Sequence, residues 1–122
     1  MRFRALLAAS LALGACAGPP AGARSPALVS PEVLAGRWTL TLDGRAACRL
    51  QLTAVPAAHG YRAVPEAGCP APVAQWRPVP DGVELAGADG LTLILLEPTG
   101  AGAFRGFDAG RRAARLARRT QP

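Results

Sequence analysis

Three cysteines, one histidine, three serines and eight carboxylates are the side chains from which this 122-residue chain would have to build reactive chemistry. The histidine, His59, stands in an Ala57-Ala58-His59-Gly60 stretch that reads as an exposed loop. Ser10 lies in an apolar leader, and Ser25 and Ser30 lie in a proline-rich segment, so no serine has a positioned base. Asp43, Asp81 and Asp89 each precede a glycine, where aspartate is favoured for backbone reasons at turns. The inventory argues against an enzyme. With Cys16 set aside at the end of the leader, two cysteines and one histidine are also one ligand short of a closed zinc site, so neither a metal nor another cofactor is expected.

The cysteines carry the more specific chemistry. Residues 1–15 have the parts of an export signal: Arg2 and Arg4 make a positive start, and residues 5–13 give an apolar run broken only by Ser10. That run is far below the about 20 apolar residues that span a bilayer, so it reads as a cleaved leader. It closes on Leu13-Gly14-Ala15-Cys16, the lipobox pattern of bacterial lipoproteins, which makes Cys16 a lipidation site and the chain's anchor to a membrane. Ala15-Cys16-Ala17 also fits an ordinary A-x-A peptidase site, which would discard Cys16. Either cut leaves Cys48 and Cys69 as an even pair in an oxidising compartment, where a disulfide is expected. Ala17 after Cys16 is compatible with outer-membrane sorting, so the expected location is the periplasm, on the outer membrane.

The elements that must position these groups follow from composition and alternation. The formal charge is +6, two of it from the leader arginines, and all fourteen basic residues are arginine. That pattern fits GC-rich codon usage, and nucleic acid is not an expected partner of an exported chain. Residues 16–31 are rich in proline, alanine and glycine and cannot bury enough surface to order themselves, so they read as a flexible tether or extended arm. From residue 32 to 120 the texture is that of one small all-β domain. Trp38, Leu40 and Leu42 alternate with Thr39 and Thr41, Asp43-Gly44 favours a hairpin turn, and Cys48, Leu50 and Leu52 alternate in the returning strand.

Further strands are expected at residues 61–64, 73–76, 83–85, 91–96 and 104–108, with Asp81-Gly82 and Asp89-Gly90 as turns. Many short strands at this spacing predict an antiparallel barrel or sandwich with few or no helices. The tail is ambiguous. Arg111, Arg112, Arg115, Arg118 and Arg119 fall at helical spacing, which alone favours a basic amphipathic helix, yet Leu116 pointing inward would suit a closing strand. Trp38 and Trp76 read as core plugs, with a tail arginine covering the Trp38 ring.

Leu34-Ala35-Gly36-Arg37-Trp38, the cysteine pair, Trp76-Arg77-Pro78, Pro80-Asp81-Gly82, Ala88-Asp89-Gly90 and the Arg-Leu-Ala-Arg-Arg ending recur in one order in a known family. The chain resembles the periplasmic inhibitors of secreted alkaline metalloproteases, the serralysin-inhibitor family, and its lipidated outer-membrane branch. The resemblance implies a small eight-stranded antiparallel up-and-down barrel, lipocalin-like, with one disulfide, and tips the tail towards a strand. It also implies a secreted metalloprotease as partner. In that family the segment before the barrel enters the protease cleft, and its free amino terminus reaches the catalytic zinc.

Counting back from Trp38, that terminus falls near Arg24. The protease-binding arm would then be Arg24, Ser25, Pro26, Ala27 and Leu28, with Val29 and Ser30 leading into the barrel. A lipidated Cys16 departs from this pattern, because its acylated amine has no lone pair for zinc. Either a cut after Ala21-Gly22-Ala23 frees Arg24, or the arm inhibits by lying across the cleft. Two other readings stand beside it: a small-ligand-binding lipocalin-like lipoprotein and a structural outer-membrane lipoprotein.

Overall fold

Alternation of large apolar and polar side chains organises the computed structural model, which describes residues 29–100 and 102–119. After a helical turn, α1 (Pro31–Leu34), come β1 (Gly36–Leu42), β2 (Arg45–Ala57), β3 (Gly60–Pro65) and β4 (Gln75–Val79). The chain continues through β5 (Gly82–Ala86), β6 (Thr92–Gly100), β7 (Ala103–Asp108) and β8 (Ala113–Arg118). Each strand pairs antiparallel with the next, and β8 returns to β1, closing the expected eight-stranded up-and-down barrel. The inward positions are filled by side chains: Trp38, Leu40, Leu50, Leu52, Trp76, Val83, Leu85, Ile94, Leu96 and Leu116 are all buried.

The first hairpin shows how sequence makes this geometry. Leu42 pairs with Arg45 across a two-residue turn. Asp43 (φ 50°) and Gly44 (φ 79°) take the left-handed conformations that match the twist of the strands. A bulge at Ala47, between the pairs Leu40–Cys48 and Thr41–Ala46, restores the inward direction for Cys48. Cys48 is joined to Cys69 as expected, so the loop between β3 and β4 is bound covalently to β2. Val73 of that loop is buried.

Several boundaries differ from expectation. The fourth strand runs over Gln75–Val79 instead of residues 73–76, because Val73 fills the core from a turn, its N–H donating to the Ala71 carbonyl at 2.8 Å. The next turn is Pro80–Asp81 and not Asp81-Gly82, since Val79 pairs with Gly82. Proline presets the first turn position and glycine takes the last, as a type I turn prefers. The apolar run at residues 91–96 is not buried throughout: Ile94 and Leu96 point in, while Leu95 points out and is half-exposed.

The tail is a strand. Leu116 is fully buried, and the pairing of β8 with β1 outweighs the helical spacing of its arginines. The helical turn Pro31–Leu34 was not among the expected elements, and it straddles the boundary drawn between residues 31 and 32. No described helix is long and apolar enough to cross a membrane.

Replacing both cysteines (Cys48→Ala, Cys69→Ala) releases a 21-residue separation from its cross-link. The expected loss is about 3 kcal/mol of unfolding free energy, read as a lower urea midpoint with an unchanged far-UV spectrum.

Candidate functional site

Residues 29–36 bring the chain into the barrel, and the carbonyls of Ser30, Pro31, Val33, Leu34 and Ala35 all accept hydrogen bonds. Ser30 is extended and precedes Pro31, whose fixed φ suits the first helical position. The Val33 N–H donates to the Ser30 carbonyl and the Ala35 N–H to the Pro31 carbonyl, each at 3.0 Å. So short a helix leaves its last carbonyls without helical partners, and the barrel supplies them. Trp38 Nε1–H donates to the Leu34 carbonyl at 2.9 Å. Arg118 donates through Nη2 to Val33 at 2.7 Å and through Nη1 to Ala35 at 3.2 Å.

The same guanidinium lies over the Trp38 ring, its carbon 4.5 Å from the ring centre, as expected for a tail arginine. Phe104 packs on Trp38 with ring centres 5.8 Å apart. Gly36, at φ +140°, leaves this cluster its room, because a Cβ there would lie 2.9 Å from Arg118 Nη1. Arg119 extends the tie, its N–H donating to the Arg37 carbonyl at 2.9 Å and its guanidinium meeting Glu66 at 3.3 Å. Thus Leu34-Ala35-Gly36-Arg37-Trp38 and the basic ending, far apart in sequence, are one structure.

The root of the arm is exposed. Ser30 Oγ donates to Glu32 Oε1 at 2.8 Å. That bond, followed by one from the Glu32 backbone, lowers the Glu32 pKa against a slight opposing desolvation. Val33 presents 61% of its surface to solvent. Val29 reaches the edge of a concavity of about 430 Å³ that it shares with Leu34, Pro80, Asp81, Pro98 and Phe104. The chain therefore enters beside the β4–β5 and β6–β7 hairpins.

Of the expected arm, Val29 and Ser30 stand here. Arg24, Ser25, Pro26, Ala27 and Leu28 lie outside the described residues, as does Cys16. The contributions of Phe104 and of the α1 carbonyls were not anticipated. Ser30-Pro31-Glu32 was a readable helix start, with a cap-type residue, proline at the first position and an early acid.

His59 sits in an exposed turn, as expected, and its role is structural. Its N–H donates to Gln75 Oε1 at 2.7 Å, and the buried Gln75 amide donates to the Gly87 and Ala88 carbonyls at 3.0 and 3.2 Å. Arg77 donates to the His59 carbonyl at 2.8 Å and pairs with Glu84 at 2.8 Å. Partial burial pushes the Glu84 pKa up, but hydrogen bonds from Thr92 and Arg77 and the charge of Arg77 outweigh it and hold it below the ordinary value. Among the described residues no three His, Cys, Asp or Glu side chains gather as a metal site.

A family model described as protease inhibitor Inh matches residues 28–118. A proteinase inhibitor of Pseudomonas aeruginosa is 40% identical over 91 residues, which cover 68% of this chain and 70% of that protein. An alkaline proteinase inhibitor of Pseudomonas syringae pv. tomato is 42% identical over 77 residues, 61% of each chain. Among solved structures, the crystal structure of a psychrophilic marine protease MP inhibitor matches with a TM-score of 0.59 at 28% identity, covering 75% of this chain and 100% of that one.

Arg118→Ala should leave the barrel folded but loosen the arm's root. Hydrogen exchange at the Val33 and Ala35 amides is expected to quicken about tenfold, as losing a charged hydrogen bond and a cation–π contact implies. Glu84, with its lowered folded pKa, contributes stability that is complete above the ordinary glutamate range and lost as pH falls through the folded value. Arg77→Gln should therefore flatten the fall in urea-measured stability between about pH 5 and pH 3.

Proposed function

This chain belongs to the protease inhibitor Inh family, and from that membership we propose that it is an exported inhibitor of a secreted zinc endopeptidase, held by a lipid at Cys16. Protease inhibition is the activity named in its relatives, which are inhibitors and not enzymes. The name alkaline proteinase inhibitor, borne by one of them, supports a secreted alkaline protease as the target class.

The observation that carries the reading is the locked root of the arm. Arg118 and Trp38 hold the carbonyls of residues 33–35 on a closed barrel, so whatever precedes Val29 leaves from a fixed point. A rigid platform lets an arm bind with less loss of conformational freedom. In this proposal the arm of Arg24, Ser25, Pro26, Ala27, Leu28, Val29 and Ser30 lies across the protease cleft. Pro26 favours an extended backbone that suits a substrate groove. With Cys16 acylated, blocking is by occlusion, and a carbonyl or side chain of the arm meets the protease's zinc. A free amine at Arg24 would meet it directly.

The runner-up, a small-ligand binder, finds less support in the packing. The concavities of the described residues are lined by outer-face and rim groups such as Leu95, Phe107, Pro80 and Asp108, while the barrel axis is filled by Trp38, Trp76 and aliphatic side chains.

Deleting residues 17–30 should lower inhibition of the host's secreted zinc endopeptidase at least a hundredfold while the barrel's spectrum and melting stay unchanged. Mass measurement of the mature amino terminus separates the two blocking modes, diacylated Cys16 for occlusion and Arg24 for direct ligation. Full activity of every extracellular endopeptidase of the host in the presence of the intact chain would overturn the proposal.

A further inference from the structure

Closure of the barrel sorts the arginines in a way their sequence positions do not reveal. On the sheet half formed by β7, β8, β1 and β2, the outward strand positions include Arg105, Arg115, Arg37 and Arg49. The other outward residues of β8 and β1 are small or neutral: Ala113, Ala117, Thr39 and Thr41. No carboxylate occupies an outward position on these four strands. Glu97, on β6, borders the face opposite Arg105.

The described ion pairs use Arg77, Arg112 and Arg119 and leave all four face arginines without a carboxylate partner. Arg105 and Arg115 stand directly opposite each other across the β7–β8 ladder. Like charges so placed destabilise a sheet, so the fold does not call for them. The face also carries exposed apolar surface. Phe107 follows Arg105 by two residues on the same side and is 64% exposed, and its cross-strand neighbour Leu95 is 51% exposed.

We propose that this four-strand outer face docks on an anionic lipid surface, its arginines meeting phosphodiester groups and Phe107 resting among the headgroups. Guanidinium groups bind phosphate oxygens in pairs, and aromatic rings settle at the membrane interface. A broad, predominantly basic face, spread over four strands with the Glu97 carboxylate at its β6 border, suits a laterally continuous sheet of charge. Cys16 stands 13 positions before Val29, a contour of at most about 45 Å, so an acyl chain there would keep the face within reach of the same membrane. The docking does not depend on protease inhibition.

The test uses the full chain with Cys16→Ser, which removes the acylation point. It is sedimented with vesicles of phosphatidylglycerol and phosphatidylcholine, and separately with phosphatidylcholine alone. Binding is expected to the anionic vesicles only and to vanish at high salt. Arg115→Gln should weaken it on the order of fivefold, and Arg105→Gln with Arg115→Gln on the order of twenty-five-fold. Arg62→Gln on β3 should change it less than twofold.

Removing the opposed charges should leave the melting temperature unchanged or raised, so a folding defect would be visible. Undiminished binding by the double variant would overturn the proposal. So would equal weakening by Arg62→Gln, which would reduce the effect to net charge. Loss of protease inhibition with vesicle binding intact would overturn it too, and would assign the face to the protease.

Discussion

The closure of β8 on β1 holds the rest of this molecule in place. It pairs Trp38 with Arg118 and Leu40 with Leu116 in the ladder. One strand end thereby supplies both a buried leucine and the guanidinium that covers the Trp38 ring. Without that pairing β1 would be an open edge, Trp38 would lose its cover, and the Val33 and Ala35 carbonyls would lack their donor. The two ends of the domain are thus joined by one cluster of side chains, and the arm is rooted in it. A small barrel has little core to spare, which makes such a shared cluster, together with the Cys48–Cys69 link, a large part of what keeps it folded.

Structure and proposed activity meet at this cluster. An inhibitor that blocks a cleft with a peptide segment must avoid losing, on binding, the freedom it leaves in that segment. The hydrogen bonds to the carbonyls of residues 33–35 fix the segment through which the proposed arm joins the barrel. The neighbouring concavity, bordered by Pro80 and Pro98, adjoins Val29, where the proposed arm would join the barrel. The surfaces that sequence reasoning weighed for catalysis serve other ends: His59 is a backbone donor and acceptor that ties a turn to Gln75 and Arg77.

The sheet has two unlike sides because inward and outward positions alternate around a closed ring, interrupted only at its bulges. Inside, the alternation collects tryptophan and aliphatic groups. Outside, it divides the charged residues between a half where Arg77 and Glu84 are paired and a half where Arg105 and Arg115 face each other. Arginines scattered along the chain become neighbours only through the register of the ladders.

Much of the fold was legible in the sequence because its determinants are local. The period-two alternation of Trp38, Leu40 and Leu42, the left-handed Asp43-Gly44 turn and an even pair of cysteines each act over a few residues or through compartment chemistry. They suffice to name strands, a hairpin and a disulfide. Strand limits were less legible, because Val73 and Leu95 are placed by what packs on them and by bulges that shift register, as at Leu93 between the Leu85–Ile94 and Ala86–Thr92 pairs. The tail shows the division most clearly. Its arginine spacing fits a helix as well as a strand, and the unpaired edge of β1, more than seventy residues away in sequence, decides for the strand. Local sequence set which residues prefer to point the same way. Only the closed ring determined that Arg118 would cover Trp38, that α1 would find its donors, and which arginines would share a face, since each of these depends on pairing between segments that local propensity cannot bring together.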